Sequence, residues 1–297
     1  MKRVLTAIVL IILVGLLVFL GKLWMVTLFA AAVAALAALE FRHIASRQAS
    51  RQPEPADTAH HSHPIPLWWT LFAIALFFVA TFLRPQDTIT AVVFATLLLF
   101  TWNTFRTPLT RVLEETAAGL LLLIYIAFPL TLIPLIWNRD QGDGLVLVLF
   151  LFLCVWSGDI AALYVGKRFG RRKLAPTLSP NKTWEGAIAS VIASVIFGLA
   201  LILYGNWLTM HGSSFSRLHT NAPLWQWALL AILLNCAAQF GDLLESALKR
   251  GAGVKDSGTM LPGHGGILDR IDALLLAAPV LWFVLVLREF FGAFGSM

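Results

Sequence analysis

Two polar segments, residues 159–186 and 241–272, carry most of the residue types that could do chemistry in this 297-residue chain. Five aspartates lie within them: Asp159, Asp242, Asp256, Asp269 and Asp272. Mg²⁺ prefers such hard oxygen ligands and typically takes one or two carboxylates together with the phosphates of a substrate. As an alternative to metal binding, these carboxylates could simply form ion pairs with neighbouring basic residues and serve a structural role. Six glycines between residues 251 and 266, together with His264, favour a binding function instead.

The first segment opens with Asp159 inside an apolar run, where an ionisable side chain is costly and therefore a functional candidate. A dense basic stretch follows, made of Lys167, Arg168, Arg171, Arg172 and Lys173. These basic residues could anchor the membrane topology or bind anionic lipid headgroups, and neither function requires a role in catalysis.

Three residues near the end of this segment, Ser179, Lys182 and Thr183, could contact a phosphate. We expect them in a Ser-Pro-Asn-Lys-Thr turn just before the next apolar run. The Lys-Thr pair resembles the end of a P-loop, but the upstream glycine is missing and no strand is predicted before it. The sequence therefore does not indicate a P-loop.

The second segment begins with polar residues at helical spacing, namely Asp242, Glu245, Ser246 and Lys249. The glycines that follow allow backbone N–H groups to approach phosphate oxygens closely. Asp269 and Asp272 are three residues apart, which places them on one helical face. Lys182, Lys249, Arg250, Lys255 and Arg270 supply the cations that phosphates need.

The composition places these segments in a membrane protein. Hydrophobic residues make up 59% of the chain and charged residues 13%, whereas soluble domains carry about 25% charged residues. Runs long enough to cross a bilayer predict an all-α, polytopic protein of about nine transmembrane helices: 4–20, 23–41, 66–83, 88–103, 114–136, 145–165, 186–204, 224–243 and 272–290. A secretory signal peptide is the alternative for the first run, although no convincing cleavage site precedes the second.

The organisation along the chain follows from these runs. Residues 1–150 are expected to form the N-terminal transmembrane helices, with a polar linker near 46–65. Residues 151–297 are expected to form the catalytic transmembrane region that holds both polar segments. With nine spans and a cytoplasmic N-terminus, 17 of the 22 basic residues fall on the cytoplasmic side. The positive-inside rule therefore predicts an N-in, C-out topology with both polar segments facing the cytoplasm.

Other classes of protein are less consistent with this pattern. The net charge of +6 is explained by membrane topology rather than by nucleic-acid binding. Cys154 and Cys236 both lie in apolar runs and suggest neither a disulfide framework nor a metal site. A transporter should place its charged residues near the bilayer midplane on interrupted helices, whereas these carboxylates crowd one interface.

The residues from Ser246 to Asp272 resemble the signature of the phosphatidate cytidylyltransferase (CDP-diacylglycerol synthase) family. The matching positions are Ser246, Leu248, Lys249, Arg250, Lys255, Asp256, Pro262, His264, Gly265, Gly266, Asp269, Arg270 and Asp272. The first segment is also similar, through Asp159, Ala162 and residues 179–183. Asn181 stands where many members of the family have glycine. The resemblance covers about residues 155–275.

The resemblance implies a reaction of CTP with phosphatidate that gives CDP-diacylglycerol and pyrophosphate. It further implies Mg²⁺, with a proposed potassium ion beside it, held by Asp242, Asp269 and Asp272, and substrate phosphates bound by Ser246 and Lys249. His264 would orient the glycine-rich loop or move a proton. A CTP-using polyprenol or lipid kinase is the alternative enzyme. We expect a bacterial inner-membrane location and no nucleic-acid partner. A homodimer is compatible with the sequence, but no residue indicates one.

Overall fold

The computed structural model describes residues 12–50, 65–139, 143–211, 222–260 and 265–295, and most of these residues are helical. Residues 12–20 are helical and are called α1. The remaining helices are α2 (Leu23–Ala49), α3 (Leu67–Leu83), α4 (Thr88–Arg106), α5 (Val112–Leu122), α6 (Phe128–Trp137), α7 (Asp143–Phe169), α8 (Trp184–Met210), α9 (Leu224–Gly251) and α10 (Leu268–Gly295). A short 3₁₀ helix (Pro85–Asp87) leads into α4, and a π-helical segment (Leu123–Ala127) joins α5 to α6.

The helices coincide with the apolar runs because a bilayer requires long stretches without charge. Among the described residues, seven helical segments are long and apolar enough to cross a membrane, and α3 is apolar but shorter. Eight of the predicted spans fall on these segments; of the span predicted at 4–20, residues 12–20 are helical and residues 4–11 lie outside the described residues. The predicted helical, polytopic membrane fold is confirmed. The number nine and the N-in, C-out orientation stay predictions.

The chain divides into two compact units. The first consists mainly of Trp24–Thr131 and Ala247–Ile271, and the second mainly of Leu132–Ser246 and Asp272–Met297. Helices α9 and α10 therefore each contribute residues to both units. The predicted boundary between residues 150 and 151 stays a prediction.

In the first unit, α3, α4 and α5 pack through large buried side chains. The Trp69 side chain of α3 is fully buried, and its Nε1–H donates to the carbonyl of Ala95 in α4 at 2.7 Å. A Cβ at Gly119 of α5 would collide with Leu99 of α4, so glycine allows this close approach. This packing satisfies the polar indole nitrogen, which would be costly to bury without a partner.

In the second unit, a polar network joins α7, α8 and α9. The Asn235 amide nitrogen donates to the Ser190 and Ser194 hydroxyls at 2.9 and 2.7 Å. The Ser194 hydroxyl donates to the carbonyl of Cys154 at 2.5 Å. Gly158 of α7 leaves room for the three polar side chains, because a Cβ there would collide with them. Satisfied hydrogen bonds of this kind join helices within an apolar environment.

The expected turn at residues 179–183 is wrong, because Ser179–Thr183 forms a strand, β2, that pairs antiparallel with β1 (Lys173–Ala175). The pairing satisfies backbone groups of this polar connection, which a local pattern of turn-forming residues did not reveal. A strand therefore does precede α8. The rejection of a P-loop still holds, because β2 is followed directly by α8 without a glycine-rich loop.

Candidate active site

The C-terminus of α9 is closed by a backbone arrangement that begins the glycine-rich loop. The Val254 N–H donates to the Lys249 carbonyl at 2.9 Å, and the Gly253 N–H donates to the Arg250 carbonyl at 3.0 Å. Gly253 adopts a positive φ of 66°. This pattern is the Schellman motif, in which glycine takes the left-handed position after a helix. The Arg250 guanidinium also donates to the Val254 carbonyl at 3.2 Å.

Asp269, in the first turn of α10, organises the other end of the loop. Its Oδ2 accepts hydrogen bonds from the Ser257 N–H (3.0 Å), the Ser257 hydroxyl (3.0 Å) and the Gly266 N–H (2.8 Å). Gly265 has a φ of 82°, and a Cβ there would lie 2.8 Å from this same oxygen. The loop therefore needs glycine at position 265 to wrap around the carboxylate.

The second oxygen of Asp269 binds the ammonium of Lys249. The Nζ–Oδ1 distance is 2.6 Å, and the exposed fractions of the two side chains are only 12% and 9%. A buried ion pair with additional hydrogen bonds is compatible with low solvent exposure, whereas a single buried charge is not. Lys249 and Asp269, both predicted site residues, are thus in direct contact within the first unit.

A carboxylate that the sequence analysis did not select, Glu40 of α2, also contacts this loop. It is 4% exposed and accepts hydrogen bonds from the Ser257 hydroxyl, the Ile267 N–H and the Leu268 N–H at 2.8–2.9 Å. The signal was present, because Glu40 is an ionisable residue inside a predicted span, the same argument that selected Asp159. No local pattern identified Ser257.

In the second unit, Asp242 of α9 pairs with Lys182 of β2. The Nζ–Oδ2 distance is 2.5 Å, and the two side chains are 24% and 34% exposed. The Ser246 hydroxyl, one helical turn after Asp242, donates to its Oδ1 at 3.4 Å. The structure therefore brings together a predicted phosphate-binding lysine, a predicted metal ligand and a predicted substrate-binding serine.

Close packing of α9 on α10 positions Asp242 further. A Cβ at Gly241 would lie 2.6 Å from the carbonyl oxygen of Asp272, so only glycine permits this approach of the two backbones. Asp272 is half-buried, and its Oδ1 accepts from the Ala273 N–H at 2.8 Å. The second unit thus holds two of the three predicted metal ligands near one close helix contact.

Thr183 has a structural role at the start of α8. Its side chain is buried, and its Oγ1 accepts a hydrogen bond from the Gly186 N–H at 3.2 Å, as an N-cap residue does. The Glu185 carboxylate accepts hydrogen bonds from the Arg171 and Arg172 backbone N–H groups, which fixes the start of the hairpin. Ser179 lies in β2, half-buried. Phosphate binding by Ser179 and Thr183 stays a prediction.

The remaining predicted residues lie at the surface or outside the described part of the chain. The side chains of Asp159, Arg250, Lys255, Asp256 and Arg270 are exposed. Arg250 and Arg270 directly follow Lys249 and Asp269 in the chain, and exposed cations next to such a pair in sequence suit the binding of an anionic substrate. His264 lies outside the described residues.

The carboxylates of Asp242, Asp269 and Asp272 are the donor type that Mg²⁺ prefers. Among the described residues, no group of three His, Cys, Asp or Glu side chains is close enough to hold a metal ion. Asp242 Oδ2 already holds a cation, the Lys182 ammonium, and Asp272 lies on the adjoining helix of the same unit. Asp269 differs, because Lys249 and the loop donors occupy both of its oxygens. A metal ion bound at Asp269 Oδ1 would take the place of Lys249.

Comparison with known proteins places this chain in a family. The cytidylyltransferase family matches residues 1–288. The phosphatidate cytidylyltransferase of Brucella suis biovar 1 is 43% identical over 166 residues, which are 56% of this chain and 55% of the relative. That of Staphylococcus saprophyticus is 40% identical over 148 residues (50% and 52%), and that of Haemophilus influenzae is 38% identical over 143 residues (48% and 46%).

These matches span about half the length of the curated relatives. The resemblance stated from residues 246–272 is confirmed by the match of the family over nearly the whole chain. This chain belongs to the cytidylyltransferase family.

Proposed function

We propose that this protein transfers the cytidylyl group of CTP to phosphatidate, giving CDP-diacylglycerol and pyrophosphate for phospholipid synthesis. The observation that carries the proposal is the buried Lys249–Asp269 pair, held by a loop in which Gly258, Gly265 and Gly266 leave no room for a Cβ. Pairing and loop both belong to the motif from Ser246 to Asp272. The relatives named as phosphatidate cytidylyltransferases support the choice of substrates.

The bond changes in this reaction are simple. A phosphate oxygen of phosphatidate attacks the α-phosphorus of CTP, the new oxygen–phosphorus bond forms, and the bond from the α-phosphorus to the bridging oxygen breaks. Pyrophosphate leaves with that oxygen. The lipid phosphate is already ionised, so the step needs no strong general base, and His264 would orient the loop or move a proton. Catalysis of such a step relies on positioning and charge neutralisation.

The basic residues supply much of that neutralisation. Lys182 and Lys249 would exchange their carboxylate partners for substrate phosphates, because an ammonium interacts more strongly with a phosphate group, which carries more negative charge than a carboxylate. Exposed Arg250, Lys255 and Arg270 would attract CTP. Ser246, Ser179 and Thr183 would donate hydrogen bonds to phosphate oxygens, and Asp159 and Asp256 would orient the cations.

Asp242, Asp269 and Asp272 are the residues that would hold Mg²⁺, with a potassium ion nearby as a further proposal. When bound, Mg²⁺ stabilises the negative charge on the phosphate oxygens and on the departing pyrophosphate. Since CTP is cytosolic, we further propose that both polar segments face the cytoplasm, in a bacterial inner membrane. A homodimer is also part of this proposal.

The proposal is tested with purified protein in detergent, given phosphatidate and CTP with and without Mg²⁺, and the lipid products are identified by mass spectrometry. We expect CDP-diacylglycerol from the wild type only with Mg²⁺, and none from Asp269→Asn. Asp87→Asn is the matched control, because Asp87 is 47% exposed and pairs only loosely with Arg84, at 3.8 Å. This variant should retain full activity.

Two other outcomes would contradict the proposal. A phosphorylated polyprenol or other lipid formed from CTP, without a CDP-lipid, would identify a lipid kinase. Absence of any covalent change in lipid or nucleotide, combined with movement of a solute across proteoliposomes, would identify a transporter.

A further inference from the structure

We propose that Glu40, in the N-terminal half of the chain, is a positioning residue for the reaction. It would act through the loop that carries Asp269, and it would not contact substrate. The inference rests on the proposed function. It assigns a role in the reaction to a residue of α2, which lies outside the motif from Ser246 to Asp272.

The placement of Glu40 is unusual for a carboxylate in a candidate membrane span. The side chain is 4% exposed and lies among apolar residues of α2 that include the buried Ala37 and Phe41. Burial of a carboxylate is unfavourable unless it receives hydrogen bonds. A residue that only filled space here would be apolar, so the carboxylate indicates a polar task.

The hydrogen bonds that Glu40 accepts indicate its structural role. Its Oε1 accepts from the Ile267 N–H at 2.9 Å, and its Oε2 accepts from the Leu268 N–H at 2.8 Å. These two N–H groups belong to the start of α10 and have no partner within that helix. Glu40 therefore caps α10 from a distant part of the sequence, where the helix dipole also favours a negative charge.

Two glycines of the loop lie so close to this carboxylate that a side chain at either position would collide with it. A Cβ at Gly258 would lie 2.6 Å from Glu40 Oε1, and a Cβ at Gly266 would collide first with the Ser257 hydroxyl and also with Glu40 Oε2. Neither glycine could carry a side chain while Glu40 stays in place. Part of the glycine content of the loop is thus explained by contact with Glu40 rather than by contact with a phosphate.

Ser257 connects Glu40 to Asp269. Its hydroxyl oxygen lies 2.8 Å from Glu40 Oε2 and 3.0 Å from Asp269 Oδ2, and it accepts from the Asp269 N–H at 3.3 Å. A hydroxyl has one proton, so it donates to one of the two carboxylates at a time. Loss of the Glu40 charge would change how Ser257 and Asp269 are held, and with them the orientation of Lys249.

The first test compares wild type, Glu40→Gln and the control Glu114→Gln, an exposed carboxylate of α5. Glutamine offers one acceptor oxygen where the two N–H groups of Ile267 and Leu268 need two. Hydrogen–deuterium exchange should therefore speed up at these two amides in Glu40→Gln and remain unchanged in the control. This measurement does not depend on the reaction.

The second test is kinetic, in the phosphatidate assay. A shift of reacting groups by one ångström lowers rates by about a hundredfold, so kcat of Glu40→Gln should fall to about that extent while KM for CTP changes by less than about threefold. Ser257→Ala removes the connection but leaves the cap of α10. The double variant should be no worse than the poorer single variant, because both act through one connection.

The outcomes separate this inference from the proposed function. If the wild type makes no CDP-lipid, the proposed function fails, and exchange alone reports whether Glu40 holds the loop. If the wild type is active and Glu40→Gln keeps wild-type kcat, or loses activity without faster exchange at residues 267 and 268, the inference is overturned. The inference would also be overturned if the double variant lost kcat by the product of the two single-variant factors, because the two residues would then act independently.

Discussion

The Lys249–Asp269 pair gives the sharpest quantitative prediction. Both side chains are close to fully buried, the ammonium lies 2.6 Å from one carboxylate oxygen, and three donors approach the other. Asp269→Asn removes the negative charge and leaves the Lys249 ammonium buried beside an amide. Removal of one partner from a buried ion pair costs about 3–5 kcal/mol, and we expect a loss in the free energy of unfolding near the lower end, about 3 kcal/mol.

The coupling between Lys249 and Asp269 is measured by a double-mutant cycle with Lys249→Met, which keeps the aliphatic stem but removes the ammonium. The double variant leaves neither charge unpaired, so its stability should exceed the additive expectation by at least about 1 kcal/mol. Activity should not recover, because both groups are proposed to take part in the reaction. Unfolding is followed by sodium dodecyl sulfate titration in mixed micelles, and activity by formation of CDP-diacylglycerol.

Two results would refute this account of the pair. A loss below about 1 kcal/mol in Asp269→Asn would mean that solvent screens the pair, as it does for surface ion pairs. Strict additivity in the cycle would mean that Lys249 and Asp269 are not coupled.

Three further predictions concern other parts of the site and fold. Gly253→Ala and Gly265→Ala should each destabilise the protein by about 1–2 kcal/mol because both glycines have positive φ. Only Gly265→Ala should also abolish activity, since its Cβ would press on Asp269; equal activity of the two variants would contradict this. Asn235→Ala should lower the free energy of unfolding by about 1 kcal/mol, because it removes two hydrogen bonds between membrane helices, with activity retained. Lys182→Gln should raise KM for CTP by about tenfold, since it removes one charge-assisted phosphate contact; an unchanged KM would exclude Lys182 from the CTP site.

The helices were predictable from the sequence because the bilayer imposes a simple physical requirement. A run of about 20 apolar residues is visible without any knowledge of tertiary structure. The run predicted at 224–243 illustrates the limit, because α9 continues to Gly251. Polar residues such as Asp242 and Lys249 lower the hydropathy at this end, although they continue the same helix.

The hairpin and the cap of α10 were not predictable in the same way. The strand from Ser179 to Thr183 exists through pairing with Lys173–Ala175, and its residues include Pro and Asn, which are rare in strands. The contact between Glu40 and Leu268 joins residues 228 positions apart. Only the folded arrangement of the first unit makes this pair visible, although the unusual carboxylate in an apolar run was a sign of its importance.

The sequence motif selected residues that the structure brings into contact, while their roles in the reaction stay predictions. The motif identified Lys249 and Asp269, and the structure brings them into contact. The first polar segment, outside this motif, offered Thr183 as a residue that could contact a phosphate. The structure shows Thr183 as a buried helix cap, and its contact with a phosphate stays a prediction. Hydroxyl groups near the start of a helix serve both purposes, so sequence alone does not distinguish them.

The central claim is cytidylyl transfer, and it is tested most directly by following the label from two forms of CTP. Purified protein is incubated with phosphatidate and Mg²⁺ and with CTP labelled with ³²P at either the α- or the γ-phosphate, and the lipid is then extracted. For cytidylyl transfer, we expect that the α-label enters the lipid while the γ-label is released in pyrophosphate. Transfer of the γ-label to lipid would show kinase chemistry and exclude cytidylyl transfer.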